Sequence, residues 1–372
     1  MKIYSTHDIS NKIKAEALRL GFSACGMAKV EPVDSQTATA YRQWLGDGKH
    51  ATMQYLERNL DKRLDPTLLM PNARSIICLA LNYFPARLLA DHQYQFAYYA
   101  YGQDYHDVMR QKMQSLITFI QSLFPSADVG VDATPPPVSC KPCCDTVPIL
   151  DRYWASRAGL GWIGKNGSLI IPNAGSYFFL GEILVDMDLE YDTPMESRCG
   201  TCTRCLDACP TKALEKPHCV DARKCLSYLT IEHRGEFPEH GLCKAESAKF
   251  VDISEHGLCD ADAAKFAELP DTPPHAAKRQ LPNTIYGCDC CQQACPWNRF
   301  AQPTKIQEFV PSDKFLSMSP ADWHCLSVED YRTIFKGSAV KRAKYEGLMR
   351  NIAYMQKVQR SDANSPQQET SS

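Results

Sequence analysis

Cys199-Gly-Thr-Cys202-Thr-Arg-Cys205-Leu-Asp-Ala-Cys209-Pro210 decides how this chain is read. Three thiolates two residues apart wrap a backbone around three corners of one iron–sulfur cube, and a fourth, set off by three residues and a proline, points to a neighbouring cube. A second set should complement the first. It is found downstream as Cys288-x2-Cys291-x3-Cys295-Pro296, with Cys225 bringing the total to eight. We assign Cys199, Cys202, Cys205 and Cys295 to one 4Fe-4S cluster, and Cys209, Cys225, Cys288 and Cys291 to the other. A zinc ribbon would use paired C-x2-C knuckles rather than two C-x3-C-Pro steps.

Outward from these segments, the composition is that of an ordinary globular protein, 44% apolar and 23% charged over 372 residues. The N-terminus enters helical periodicity without an apolar leader, and no stretch has about 18 uninterrupted apolar residues. We expect a soluble, unsecreted, cytoplasmic monomer with no membrane contact. In a reducing compartment the 18 cysteines imply metal, not disulfides. The net charge of −2 hides an asymmetry: residues 331–360 carry Arg332, Lys336, Lys341, Arg342, Lys344, Arg350, Lys357 and Arg360 against Glu346 alone. Such a segment suits a polyanion, or is a solvated helix face.

Ahead of the cysteines, Ser10–Leu20 has helical spacing of Ile9, Ile13, Ala17 and Leu20, and Phe22–Met27 reads as a short strand. Ser75–Tyr83 is a continuous apolar run of strand length, expected mid-sheet. Tyr105–Phe124 reads as a long helix stopped by Pro125. Ser168–Ile171 and Ser176–Val185, separated by Pro-Asn-Ala-Gly, read as a β-hairpin. The fold expected is α+β or α/β: residues 1–190 an α/β unit, 191–300 a ferredoxin-like domain, 301–360 a basic helical segment, and 361–372 a disordered tail. An insert at about 236–270 holds a duplication, Glu239–Phe250 recurring as Glu255–Phe266 sixteen residues later. A zinc site from His240, Cys243, His256 and Cys259 is the weaker reading of it. Gly159-Leu-Gly161-Trp-Ile-Gly164 has dinucleotide spacing but lies between a helix and the hairpin, the wrong context.

Two cubes make a wire that needs a terminus in the N-terminal unit. Gly48-Lys-His-Ala-Thr-Met-Gln-Tyr-Leu56, Arg63-Leu-Asp-Pro66, Asp104-Tyr-His106, Asp145-Thr-Val-Pro148, Arg157–Asn166, Cys225–Glu232, Ile285–Asp289, Cys295–Asn298 and Phe335–Ser338 together resemble the epoxyqueuosine reductase family, over about residues 9–352. The resemblance implies a cobalamin bound base-off in the N-terminal domain against the ferredoxin domain. It implies reduction of epoxyqueuosine to queuosine at the wobble position of tRNA with a GUN anticodon, with electrons from an unidentified low-potential donor. Arg63, Tyr105, His106, Lys165, Asn166 and Asp289 fall in stretches that it places near the cobalamin. It makes Asp145 the proton donor, which at neutral pH asks for a raised pKa; the competing role is a helix N-cap.

The chain departs from the family pattern in four places. Asp289-Cys290 stands where two aspartates are usual; Cys140, Cys143 and Cys144 precede Asp145; the interval 226–287 is long; and the chain stops soon after Asn351. On spacing, Cys290 is kept outside the clusters. Two other functions compete: a cobalamin-dependent reductive dehalogenase, which would want a twin-arginine leader, and a plain electron carrier. A spectrum of protein with added cobalamin separates the carrier, by cluster absorption alone, from either reductase.

Overall fold

The computed structural model describes residues 5–124, 138–237 and 283–363, with the side chains of 359–363 left aside. The duplicated insert and nearly all of the C-terminal tail lie outside the described residues.

The run 75–83 behaves as its sequence demands. Strand β2 (Ser75–Asn82) is buried on both faces, lying between β1 (Ala24–Lys29) and β4 (Phe178–Val185), and β3 (Cys140–Cys143) pairs the far side of β4. Every pairing is antiparallel, so the unit is α+β rather than α/β. One face, including Met27, Ile77, Leu79, Leu81 and Ile183, packs under α1 (Thr6–Arg19) and α2 (Tyr105–Ser122). The other, including Ile76, Cys78, Ala80 and Leu184, packs under α3 (Asp151–Arg157) and its Trp154. Fully burying one such aliphatic side chain is worth roughly 1.5–3 kcal/mol, so coverage of both faces explains an unbroken apolar strand in an antiparallel sheet.

The expected hairpin is not formed. A tight turn is present, with Gly175 and Ile171 exchanging backbone hydrogen bonds, but Leu169–Ile170 pairs with Trp162–Ile163 instead. Both edges of β4 are already occupied by β2 and β3, which leaves no ladder for it. Here the glycines of Gly159–Gly164 find their use: a Cβ on Gly161 would lie 2.0 Å from the Ile170 carbonyl oxygen. They permit close strand approach, not a pyrophosphate.

Packing does not follow chain order. Tyr94, Phe96 and Tyr101 share a core with Ile285, Tyr286, Trp323, Phe335 and Ile352, and Gln95–Phe96 pairs in parallel with Thr284–Tyr286. Ile306 and Phe309 in turn join the core under α1 and α2. Helix α4 (Leu226–Ile231) and the long α5 (Lys344–Ala363) complete this half. No helix among the described residues is long and apolar enough to cross a membrane.

Candidate active site

Asp104 organises the site twice over. It caps α2, accepting the backbone N–H of His106 at 3.1 Å, and the same oxygen pairs with His106 Nδ1 at 2.7 Å. That places Tyr105 and His106 in the first helical turn, where amide dipoles favour an anion. The anion is Asp145, two residues beyond β3. Its Oδ2 accepts the Tyr105 hydroxyl at 2.5 Å and pairs with His106 Nε2 at 3.2 Å. Tyr105 is fixed between His106 and the ring of Phe179, 4.3 Å away and nearly parallel.

Asp145 has a positive φ of 51° and is not a helix cap: α3 begins at Asp151, preceded by Leu150. Its acidity also differs from expectation. The hydrogen bond from His106, with Tyr105 and the charges of His106 and Arg342, outweighs the partial desolvation of this 61% exposed side chain and holds the carboxyl below its usual range. His106 moves the other way, raised to about 9, first by Asp104 and then by Asp145. At neutral pH the proton of this pair rests on the imidazole.

Tyr83, Tyr99, Tyr105, Asp145, Asp151, Phe178, Phe179 and Leu180 line an open cavity of about 270 Å³. Arg63 sits nearby, donating to the carbonyls of Ile149 and Tyr55 at 3.3 and 3.2 Å, while its buried Nε has no partner among the described residues. The guanidinium of Arg342 lies 5.6 Å from the Tyr55 ring centroid and is fixed on Glu232 at 2.9 and 3.1 Å. Sequence reading missed Tyr55, Tyr99, Phe179 and Asp151; only their tertiary placement marks them.

Three residues expected near the cofactor tie down the cysteine loops and are not among those lining this cavity. Lys165 Nζ donates to the Gly200 and Cys202 carbonyls at 2.6 and 2.8 Å. Asn166 donates to the Cys291 carbonyl at 3.2 Å, and Asp289 accepts the Tyr98 N–H at 2.7 Å. Gly287 (φ 69°) completes the loop; a Cβ there would lie 2.4 Å from that of Ala97.

The thiols fall into two neighbourhoods. Cys295 is pushed up to about 11 by burial and by Cys199, Cys205 and Cys202. Cys291 is raised by burial and by Cys288, Cys225 and Cys209. Cys290 stands beside Cys288, whose thiol it raises through a hydrogen bond. No three potential ligands among the described residues converge on a single-ion site; a cube asks for less convergence, since each thiolate binds a different iron. Cys143 and Cys144 are buried thiols whose pKa burial raises, and Cys140 is pushed up the same way to about 12.

Residues 198–261 match a family described as a 4Fe-4S double cluster binding domain. With an acid–base group at an aromatic cavity in the same chain, the class is that of a two-cluster iron–sulfur oxidoreductase. Residues 63–146 match the family described as "Epoxyqueuosine reductase QueG, DUF1730". An epoxyqueuosine reductase of Cellulophaga algicola is 40% identical over 346 residues, 93% of this chain and 97% of that one. One of Escherichia coli is 32% identical over 353 residues, 93% of this chain and 80% of that one. A solved epoxyqueuosine reductase with an epoxyqueuosine-modified tRNA-Tyr stem loop matches with TM-score 0.72 at 26% identity, covering 94% of this chain and 80% of that one. The chain belongs to the epoxyqueuosine reductase family.

Proposed function

We propose that this chain reduces the epoxide of epoxyqueuosine, at the wobble position of tRNA with a GUN anticodon, to the cyclopentene of queuosine. Electrons would come from a low-potential donor through the two clusters, ligated as assigned above, with cobalamin as the cofactor that would receive them. In this reading residues 1–190 form the cofactor unit, 191–300 the cluster unit and 301–360 the tRNA-facing segment, in a cytoplasmic monomer. The observation that carries it is the Tyr105–Asp145–His106 group at the mouth of an aromatic-walled cavity. The solved relative with its modified stem loop supports the substrate.

The rings of Tyr99, Tyr105 and Phe179 on this open cavity suit a large, flat, amide-rich cofactor, and the buried, unpartnered Nε of Arg63 lies outside the cavity lining. Cobalamin, when bound, supplies a low-potential nucleophilic metal centre. Arg63, Tyr105, His106 and Asp145 would hold it, while Lys165, Asn166 and Asp289 would act at one remove by fixing the cysteine loops. Opening the epoxide leaves an alkoxide, a far stronger base than either Asp145 or His106. The proton passes to it from the imidazolium of His106 through the carboxyl of Asp145. Since the pKa of His106 is raised to about 9, that proton is present below this value and lost as pH climbs through it. Turnover is expected to fall above about pH 9, and His106→Gln to be slow at every pH without that falling limb; a fall retained in His106→Gln would assign it to another group.

The deciding experiment incubates the protein with cobalamin, a chemical reductant and epoxyqueuosine-containing tRNA, then digests the RNA. Queuosine is expected; unchanged epoxyqueuosine from fully loaded enzyme would overturn the reading.

The basic segment contributes less uniformly than its composition suggests. Arg350 donates to the carbonyls of Leu229, His233 and Gly235, and Arg342 is engaged by Glu232. Lys336, Lys341 and Lys344 form no ion pair among the described residues. Replacing Lys341 and Lys344 with Gln is expected to weaken tRNA binding and flatten its log–log salt dependence by about 0.7–0.9 for each phosphate left without its lysine. An unaltered slope would move the tRNA surface elsewhere.

A further inference from the structure

Turning an epoxide into an alkene consumes two electrons and two protons and releases one water. The first proton closes the alkoxide left when one C–O bond breaks; the second lets the remaining oxygen depart as water when the other C–O bond breaks and C=C forms. The clusters supply the electrons. The Asp145–His106 pair holds one proton, so a second must come from elsewhere.

Directly behind Asp145 lies a group that no step has yet used. Glu182, on β4, is completely buried, and neither of its carboxyl oxygens has a hydrogen-bond partner among the described residues. It stands opposite Cys143 on β3 and Cys78 on β2 in the strand registers. The thiols of both are raised by burial and remain neutral, so neither balances a charge on Glu182. Its acidic neighbour is Asp151, at the start of α3, which packs on β4. Asp151 in turn lines the same cavity wall as Asp145. Arg152 and Asp145 are the charged groups acting on Asp151, and Cys144 lies within reach of both carboxyls.

Two carboxylates in such a place do not both stay ionised at rest, and with no proton between them Glu182 has no donor and Asp151 only its own backbone N–H. A single shared proton resolves both defects, giving the orphaned oxygens of Glu182 an O–H···O partner. We propose that Asp151 and Glu182 form a carboxyl pair holding one proton at the floor of the cavity, and that this store delivers the second proton of the reduction by way of Asp145. Burial, reinforced by the charge of Asp145 on Asp151 and of Asp151 on Glu182, raises the pKa of both groups. The shared proton is therefore kept as pH rises past the ordinary carboxylate range. Glu182 touches no substrate; it is a positioning residue acting through Asp151.

The role of this store rests on the epoxide-reducing function proposed above, and two measurements separate the failures. The first is an infrared spectrum of the loaded wild-type enzyme at neutral pH. A protonated-carboxyl stretching band is expected, lost in Glu182→Gln and in Asp151→Asn. Absence of the band in wild type, or its survival in both variants, overturns the shared proton. The second is single-turnover queuosine formation by pre-reduced enzyme across about pH 6 to about pH 9, with Glu182→Gln at least about tenfold slower and differing from wild type in pH profile. Iron content and tRNA affinity should be unchanged. Wild-type rates and pH profile in Glu182→Gln would overturn the store even if the band behaves as expected. Wild-type enzyme that forms no queuosine would sink the proposed function and this delivery role with it, leaving the infrared arm to decide the shared proton. Asp151→Asn repeats both measurements from the cavity side should Glu182→Gln fail to fold.

Discussion

Asp145→Asn enzyme, carrying both clusters and cobalamin and reduced beforehand, is expected to form queuosine at least about a hundredfold more slowly than wild type, the scale of a lost general acid. Asparagine suits the test for reasons visible in the backbone. Asp145 sits at φ 51°, a conformation that Asn tolerates well and most other replacements do not. The amide keeps an oxygen to accept the Tyr105 hydroxyl but offers no acidic proton. The loss of charge also releases His106, whose elevated pKa depends partly on Asp145, so its titration should shift downward. Because α3 starts only at Asp151, the variant removes no helix cap, and a folding defect is not expected to imitate a chemical one. A single-turnover rate close to wild type would remove Asp145 from the mechanism.

Cys209→Ser is expected to cut iron from about eight atoms per chain to about four and to abolish turnover, because the damaged cube interrupts the wire. The assignment predicts which cube is lost: the one shared with Cys225, Cys288 and Cys291, although Cys209 lies in the upstream motif. Cys290→Ser should leave iron content intact. The proximity of Cys290 to Cys288 makes this a demanding test, and loss of half the iron from Cys290→Ser would mean that the ligand set must be redrawn.

What the sequence reveals follows from how local each signal is. Cluster spacing, the periodicity of α1 and α2 and the apolar run of β2 are short-range patterns, and each keeps its meaning in the fold. The hairpin misleads because its turn is a local feature and does form, while the competition for β4 comes from β2 and β3, distant in sequence. Asp145 stands out by resemblance, yet its lowered pKa depends on His106 and Tyr105, about 40 residues away. Lys165 carries no local clue that two loop carbonyls engage it. Glu182 is the extreme case: within Phe-Phe-Leu-Gly-Glu-Ile-Leu-Val it reads as an ordinary strand residue, and only the packing of α3 on β4 brings it to Asp151.

The chain on either side of the duplicated insert is held by one helix. Phe237 stacks on Tyr354 with ring centroids 4.2 Å apart, and Arg350 grips the carbonyls of His233 and Gly235. One residue on, Asn351 Nδ2 donates to the carbonyls of both Thr230 and Ile285 at 2.8 Å. Closing a chain between fixed ends costs free energy that grows only with the logarithm of its length, so sixteen residues more or fewer between 237 and 283 change that cost by only about 0.3–0.4 kcal/mol. Helix α5 therefore makes this position an evolutionary free port, where sequence can be duplicated or discarded at almost no thermodynamic penalty to the fold on either side.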